Sequence, residues 1–198
     1  MSTGKLGKRY PAEILSPAEV KALLAACDGT SLTGMRNRGL LAVLWRGGLR
    51  CSEALDLRPG DVDFGGGTIR VLHGKGDRAR TVGVDGQALD VVRAWLGARQ
   101  AAGIGSRWLF CTGAGDRLSA RYVRAMTARL ARQAGIEHRV HPHDLRHTMA
   151  VELVTEGWPV TLIQQQLGHA STSTTDIYLR HLRPAEVIDR ARARTWAS

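Results

Sequence analysis

Pro142-His143-Asp144-Leu145-Arg146-His147 opens a helical pattern that continues to Glu156 and sets His143 and Arg146 three residues apart on one helical face. His143 follows the proline directly. Unpaired backbone N–H groups and the helix dipole favour an anion at such a position. Working outward from this stretch, Gly48-Leu49-Arg50-Cys51-Ser52-Glu53 lies far upstream, Leu167-Gly168-His169 lies downstream, and Tyr178 comes last. His169 follows His143 by 26 residues and Tyr178 follows His169 by nine.

These residue types suit one reaction class. Displacement at a phosphodiester loads negative charge on the non-bridging oxygens, and two guanidinium forks, Arg50 and Arg146, match those oxygens in charge and shape. His143 can take a proton or donate to a phosphate oxygen, and His169 can hydrogen-bond the same phosphate. The Tyr178 hydroxyl can attack phosphorus, given a neighbouring base and a positive environment to offset its high intrinsic pKa. Taken singly, each residue has a plainer reading: a surface arginine on a basic protein, a packing tyrosine, a structural histidine. The cluster His141, His143 and His147 also admits a metal, but it has neither the His-x-His-x-Asp-His spacing nor a His-Glu-x-x-His helix, and no metal or other cofactor is expected.

The order and spacing of these motifs resemble the catalytic domain of the tyrosine recombinases, the family of phage integrases, chromosome-dimer resolving recombinases and fimbrial DNA invertases. The resemblance runs from about Leu15 to about Arg194. It implies a mainly helical α+β domain with a small antiparallel sheet. The implied catalytic residues are Arg50, Lys75, His143, Arg146, His169 and Tyr178. Lys75, flanked by glycines, would be the general acid for the departing 5′ oxygen, with Arg78 and Arg80 as competitors. Glu53 would orient Arg50. The implied reaction is cleavage and rejoining of double-stranded DNA through a 3′-phosphotyrosine, without metal or ATP. A homotetramer on DNA and an accessory DNA-bending protein are the expected partners.

Composition agrees. Lys and Arg number 28 against 18 Asp and Glu, giving a net charge of +10, as expected of a protein that binds a polyanion. The chain has no run of 18 apolar residues and no apolar leader after Met1, so a cytoplasmic location is expected, bacterial or phage-encoded. The three cysteines, Cys27, Cys51 and Cys111, lack Cys-x-x-Cys spacing and read as buried small apolar residues.

Residues 1–14, with Lys5, Lys8 and Arg9, read as a basic arm or linker stub, and 15–198 as the catalytic domain. Ser16-Pro17-Ala18-Glu19 is a capping box with proline at the first helical position. Helical spacing predicts further helices near Met35–Trp45, Gln87–Gln100, Ala120–Gln133, Asp144–Glu156 and Val160–Leu167. Thr68–His73 and Ala79–Val84 are predicted strands of a hairpin with Lys75 at its tip. In the tail, Ala185, Val187, Ile188 and Ala191 form a short apolar stripe that docks either on its own domain or on a neighbouring protomer.

Common members of the family carry a further N-terminal helical domain, so the chain reads either as an excised catalytic fragment or as a short member like the fimbrial invertases. A metal-dependent nuclease would need clustered carboxylates, and Asp61 with Asp63 is the only close pair. A non-catalytic DNA-binding protein and a type IB topoisomerase are the remaining alternatives.

Overall fold

Apolar residues at helical spacing, punctuated by capping residues, make this chain mostly helix. The computed structural model describes residues 14–72, 79–168 and 192. Helix α1 (Pro17–Ala25) starts at Ser16, whose Oγ accepts from the Glu19 N–H at 3.3 Å while Glu19 accepts from the Ser16 N–H at 2.8 Å. Helix α2 (Leu32–Arg46) begins three residues before the predicted Met35, because Ser31 caps it through the Gly34 N–H. Its consecutive residues Leu40, Leu41, Ala42, Val43 and Leu44 are all buried, so α2 is the central helix, packed on α4 (Gly86–Ala101) and α6 (Pro142–Thr155). Helices α5 (Ala120–Gln133) and α7 (Val160–Leu167) have the predicted bounds.

The predicted hairpin is present, as β2 (Thr68–Val71) and β3 (Arg80–Gly83), antiparallel with Ile69 opposite Val82. A two-residue β1 (Val62–Asp63) pairs with the other side of β2. Both hairpin strands are shorter than predicted, and Lys75, expected at the hairpin tip, lies outside the described residues. Ile69, Val71 and Val82 point into the core and Arg70 and Thr81 away from it, the period-two alternation of a sheet covered on one face. Helix α3 (Cys51–Asp56) was not foreseen, being too short to show a period. The fold is the expected mainly helical α+β arrangement with a small antiparallel sheet.

One large apolar cluster joins α1 to α5 and the sheet. A smaller one, made of Met149, Ala150, Leu153, Val154, Ile163 and Leu167, joins α6 to α7. Cys27 and Cys111 are buried as expected, and burial pushes the Cys27 thiol up to about 11. Cys51 departs from the expectation: as the first residue of α3 it is only partly buried.

Part of the positive charge is structural. Arg36 is buried and donates to the Cys111 carbonyl at 3.0 Å and to Asn37 Oδ1, with its guanidinium over the Tyr122 ring. Arg99 is buried too and donates to the carbonyls of Ile104, Ser106 and Trp108 at 3.1, 2.5 and 2.7 Å, gathering the loop after α4. No described helix is long and apolar enough to cross a membrane.

Candidate active site

Helix α2 ends at Gly47, and Gly48 then takes a left-handed turn with φ +61°. A Cβ on Gly48 would lie 2.7 Å from Leu167 Cδ2 and from Met149 Sδ, so only glycine lets the chain pass this close to α6 and α7. Two residues on, Arg50 is the N-cap of α3. Its backbone N–H donates to Glu53 Oε2 at 2.8 Å and its Nη1 to Glu53 Oε1 at 2.7 Å, so α3 opens with a carboxylate folded back onto Arg50. Arg50 Nη2 donates to the Gly168 carbonyl at 3.2 Å, across 118 residues of sequence.

Arg146, on α6, enters the same place from below. It is 1% exposed, and its guanidinium donates to the Gly48 carbonyl and, at 2.6 Å, to the Leu167 carbonyl. Arg146 therefore ties the turn before Arg50 to the end of α7. The sequence gives no sign of this second duty.

His143 sits on the first turn of α6 with its ring open to solvent. Partial desolvation against the domain, then the charges of Arg146 and Arg50, hold its pKa below the usual histidine value. One turn later, His147 packs edge-on to it with ring centroids 4.2 Å apart. Burial first, then His143 and Arg146, push the His147 pKa down to about 4. Both imidazoles are thus held toward the neutral form, in which one ring nitrogen accepts a proton.

Glu53 is the hub of the cluster. Its side chain is 2% exposed, and beside the Arg50 contacts it receives both terminal nitrogens of Arg80, at 2.9 and 2.8 Å. Burial would raise its pKa, but the hydrogen bonds from Arg80 and Arg50 outweigh burial and bring it to about 2. The sequence reading of Glu53 as the partner of Arg50 agrees with this geometry. Arg80, read only as a competitor of Lys75, is instead engaged with a buried carboxylate. Gly168 ends α7 in the left-handed region, φ +63°, directly before His169.

Of the six candidate residues, Arg50, His143 and Arg146 come together here. Lys75, His169 and Tyr178 lie outside the described residues, as do Arg78 and the apolar stripe of the tail. The Asp61–Asp63 pair is spent on local structure: Asp61 accepts from the Arg58 N–H at 2.8 Å, and Asp63 from the N–H groups of Gly65 and Gly66 at 3.0 and 2.9 Å. Among the described residues no group of three His, Cys, Asp or Glu side chains is placed to hold a metal ion.

The model of the phage integrase family matches residues 13–184, and the chain belongs to that family. Tyrosine recombinase XerD of Ralstonia nicotianae is 36% identical over 181 residues, covering 90% of this chain and 58% of that protein. Tyrosine recombinase XerC of Pelotomaculum thermopropionicum is 36% identical over 185 residues, 90% of this chain and 60% of the relative. The chain therefore spans less than two thirds of the length of these curated relatives. Among solved structures, the XerA recombinase superposes with a TM-score of 0.81 at 32% identity, over 94% of this chain and 67% of the other. XerH recombinase in a post-cleavage complex with its palindromic difH substrate gives 0.77 at 26% identity, over 96% and 55%.

Proposed function

We propose that residues 15–198 form the catalytic domain of a site-specific DNA recombinase, with 1–14 as a basic arm. The carrying observation is that Arg50 and Arg146, drawn from motifs far apart in the sequence, converge on the end of α7 at Leu167 and Gly168, with His143 near enough to feel both charges. Arg50 and Arg146 hold the scissile phosphate of double-stranded DNA. The Tyr178 oxygen attacks phosphorus, the bond to the 5′ oxygen breaks, and the tyrosine proton passes to His143. Lys75 gives its proton to the departing 5′ oxygen, and His169 hydrogen-bonds the phosphate. A 5′ hydroxyl from a partner strand reverses the step and releases the tyrosine. The phosphodiester energy is stored in the protein link, so strand exchange needs neither ATP nor a metal.

Two exchanges through a Holliday junction call for four protomers, so we assign a homotetramer on DNA, working in the cytoplasm, with an accessory DNA-bending protein as a further partner. The DNA complexes of XerH, a protein of the same fold, support duplex DNA as the substrate.

The test is a duplex nicked next to the cleavage point, which traps the covalent adduct on a denaturing gel. The unaltered chain is expected to give the adduct in excess chelator. Tyr178→Phe is expected to give none while still binding DNA. An adduct from the phenylalanine variant, or activity lost on chelation and restored by magnesium, overturns the proposal.

A further inference from the structure

Arg80 opens β3, and its side chain is 13% exposed. Its two terminal nitrogens take one oxygen each of the Glu53 carboxylate, a fork-on-fork pairing that fixes the rotation of the carboxylate as well as its position. Those same oxygens receive the backbone N–H and Nη1 of Arg50. On its other side Arg80 lies against the end of α7: a Cβ on Gly168 would stand 2.7 Å from Arg80 Cδ and Nε and 2.8 Å from Cζ. Arg80 Nε has no hydrogen-bond partner among the described residues. One side chain thus touches the carboxylate behind Arg50 and the end of α7 at Gly168.

The charges point the same way. Arg50 and Glu53 alone would be a neutral pair, and a carboxylate held by a single guanidinium competes with a phosphate for it. A second guanidinium on the same carboxylate makes the trio net positive and weakens that competition. An arginine can do this while staying charged at every working pH; for the same reason, and with both terminal nitrogens engaged, it makes a poor proton donor.

We propose that Arg80 is a positioning residue for strand cleavage: by gripping both oxygens of Glu53 and bracing Gly168, it aims Arg50 at the phosphate and holds it against the end of α7. The inference rests on the strand-transfer reading above and adds to it a residue that acts through Glu53.

The experiment uses the full chain and nicked duplexes whose scissile 5′ bridging atom is oxygen or sulfur, with adduct formation followed in a single turnover. Arg80→Lys keeps the charge and loses the fork. It is expected to slow both substrates by the same factor, about 10- to 100-fold, as for a clamp displaced by a fraction of an ångström. DNA affinity should stay within about twofold, because the phosphate contacts that dominate binding are untouched. An unslowed Arg80→Lys overturns the inference. So does a defect that the sulfur substrate relieves, since that is the behaviour of a general acid.

A double-mutant cycle covers the case in which Arg80→Lys does not fold. Arg80→Met combined with Glu53→Gln leaves no unpaired buried charge, and it should be no more than about threefold slower than Glu53→Gln alone, since partners in one network are not additive. A further 10-fold loss would show that Arg80 acts independently of Glu53 and overturns the inference. If the unaltered chain gives no adduct, the strand-transfer reading itself fails. A normal adduct from both the unaltered chain and Arg80→Lys removes only the role of Arg80.

Discussion

The side-chain amide of Gln166 pairs with the backbone of Gly83 as a neighbouring strand would: the Gly83 N–H donates to Oε1 at 3.0 Å and Nε2 donates to the Gly83 carbonyl at 2.8 Å. β3 is an edge strand, so these groups would otherwise face water. Through this pairing α7 is fastened to the sheet two residues before Gly168. Gln166→Leu should cost about 1 kcal/mol, because the freed groups at this exposed edge regain water. Its larger effect should be on adduct formation, through a loosened end of α7. Urea melts alongside single-turnover rates check this; a rate that falls no further than stability predicts would confine Gln166 to structure.

Gly168→Ala meets two obstacles together, a left-handed backbone and the Arg80 side chain 2.7 Å from the new Cβ. The backbone alone costs about 1–2 kcal/mol, which for a chain of this size lowers Tm by several degrees. Displacing Arg80 from Glu53 should then depress the cleavage rate well below what the Tm change implies. A variant that melts lower but cleaves normally would show that Arg80 yields without moving Glu53.

Acid should loosen the domain before it protonates the carboxylates. Burial, then His143 and Arg146, hold the His147 pKa down to about 4 in the fold, below the ordinary histidine value of about 6.5. Protonation therefore favours the unfolded chain. The stability contributed by neutral His147 is complete above the unfolded value and is lost as pH falls from about 6.5 toward 4, up to roughly 3 kcal/mol. His143 shifts in the same direction. Urea midpoints at pH 7.5 and pH 5 should differ clearly in the unaltered chain and much less in His147→Gln. An equal difference in both would place the acid sensitivity elsewhere.

Lys75→Ala should slow cleavage of ordinary DNA yet leave a bridging-sulfur substrate nearly unaffected, because a thiolate departs without a proton. Single-turnover rates on the two duplexes decide it. Equal impairment would move the search for the acid to Arg78, since Arg80 is occupied by Glu53.

The tail is tested by changing Val187 and Ile188 together to Asp. Docking on a neighbouring protomer predicts a folded protein that binds DNA but loses assembly and strand exchange, as read by sedimentation on DNA. Docking on its own domain predicts a lower Tm. A folded, tetrameric, recombining variant would exclude the tail as the link between protomers.

Long, capped elements were legible in the sequence. Ser16 with Glu19, and Pro142 with its apolar run, mark helix starts by local chemistry, and the α5 and α7 bounds followed from periodicity. α3 and β1 were not legible, because six and two residues are too few to display a period. Among site residues, the partnership of Arg50 with Glu53 spans three positions and could be read. That of Arg80 with Glu53 spans 27 and that of Gln166 with Gly83 spans 83, and no local pattern encodes either. The sequence offers Arg146 only as an expected charge for a phosphate, while its burial depends on where other segments come to rest.

That burial bears on how this position tolerates change. Because the Arg146 guanidinium joins the Gly48 carbonyl to the Leu167 carbonyl, its side chain serves the assembly of the pocket as well as any chemistry within it. A mutational screen scored on activity alone will find every replacement inactive and attribute the result to catalysis. The same library sorted for folded protein will find the replacements unequal, with Lys retaining one of the two bonds and Ala neither. On the proposed function, replacing Arg146 removes a phosphate ligand and a tie between Gly48 and Leu167 in one step, so loss of activity at this position does not by itself report chemistry.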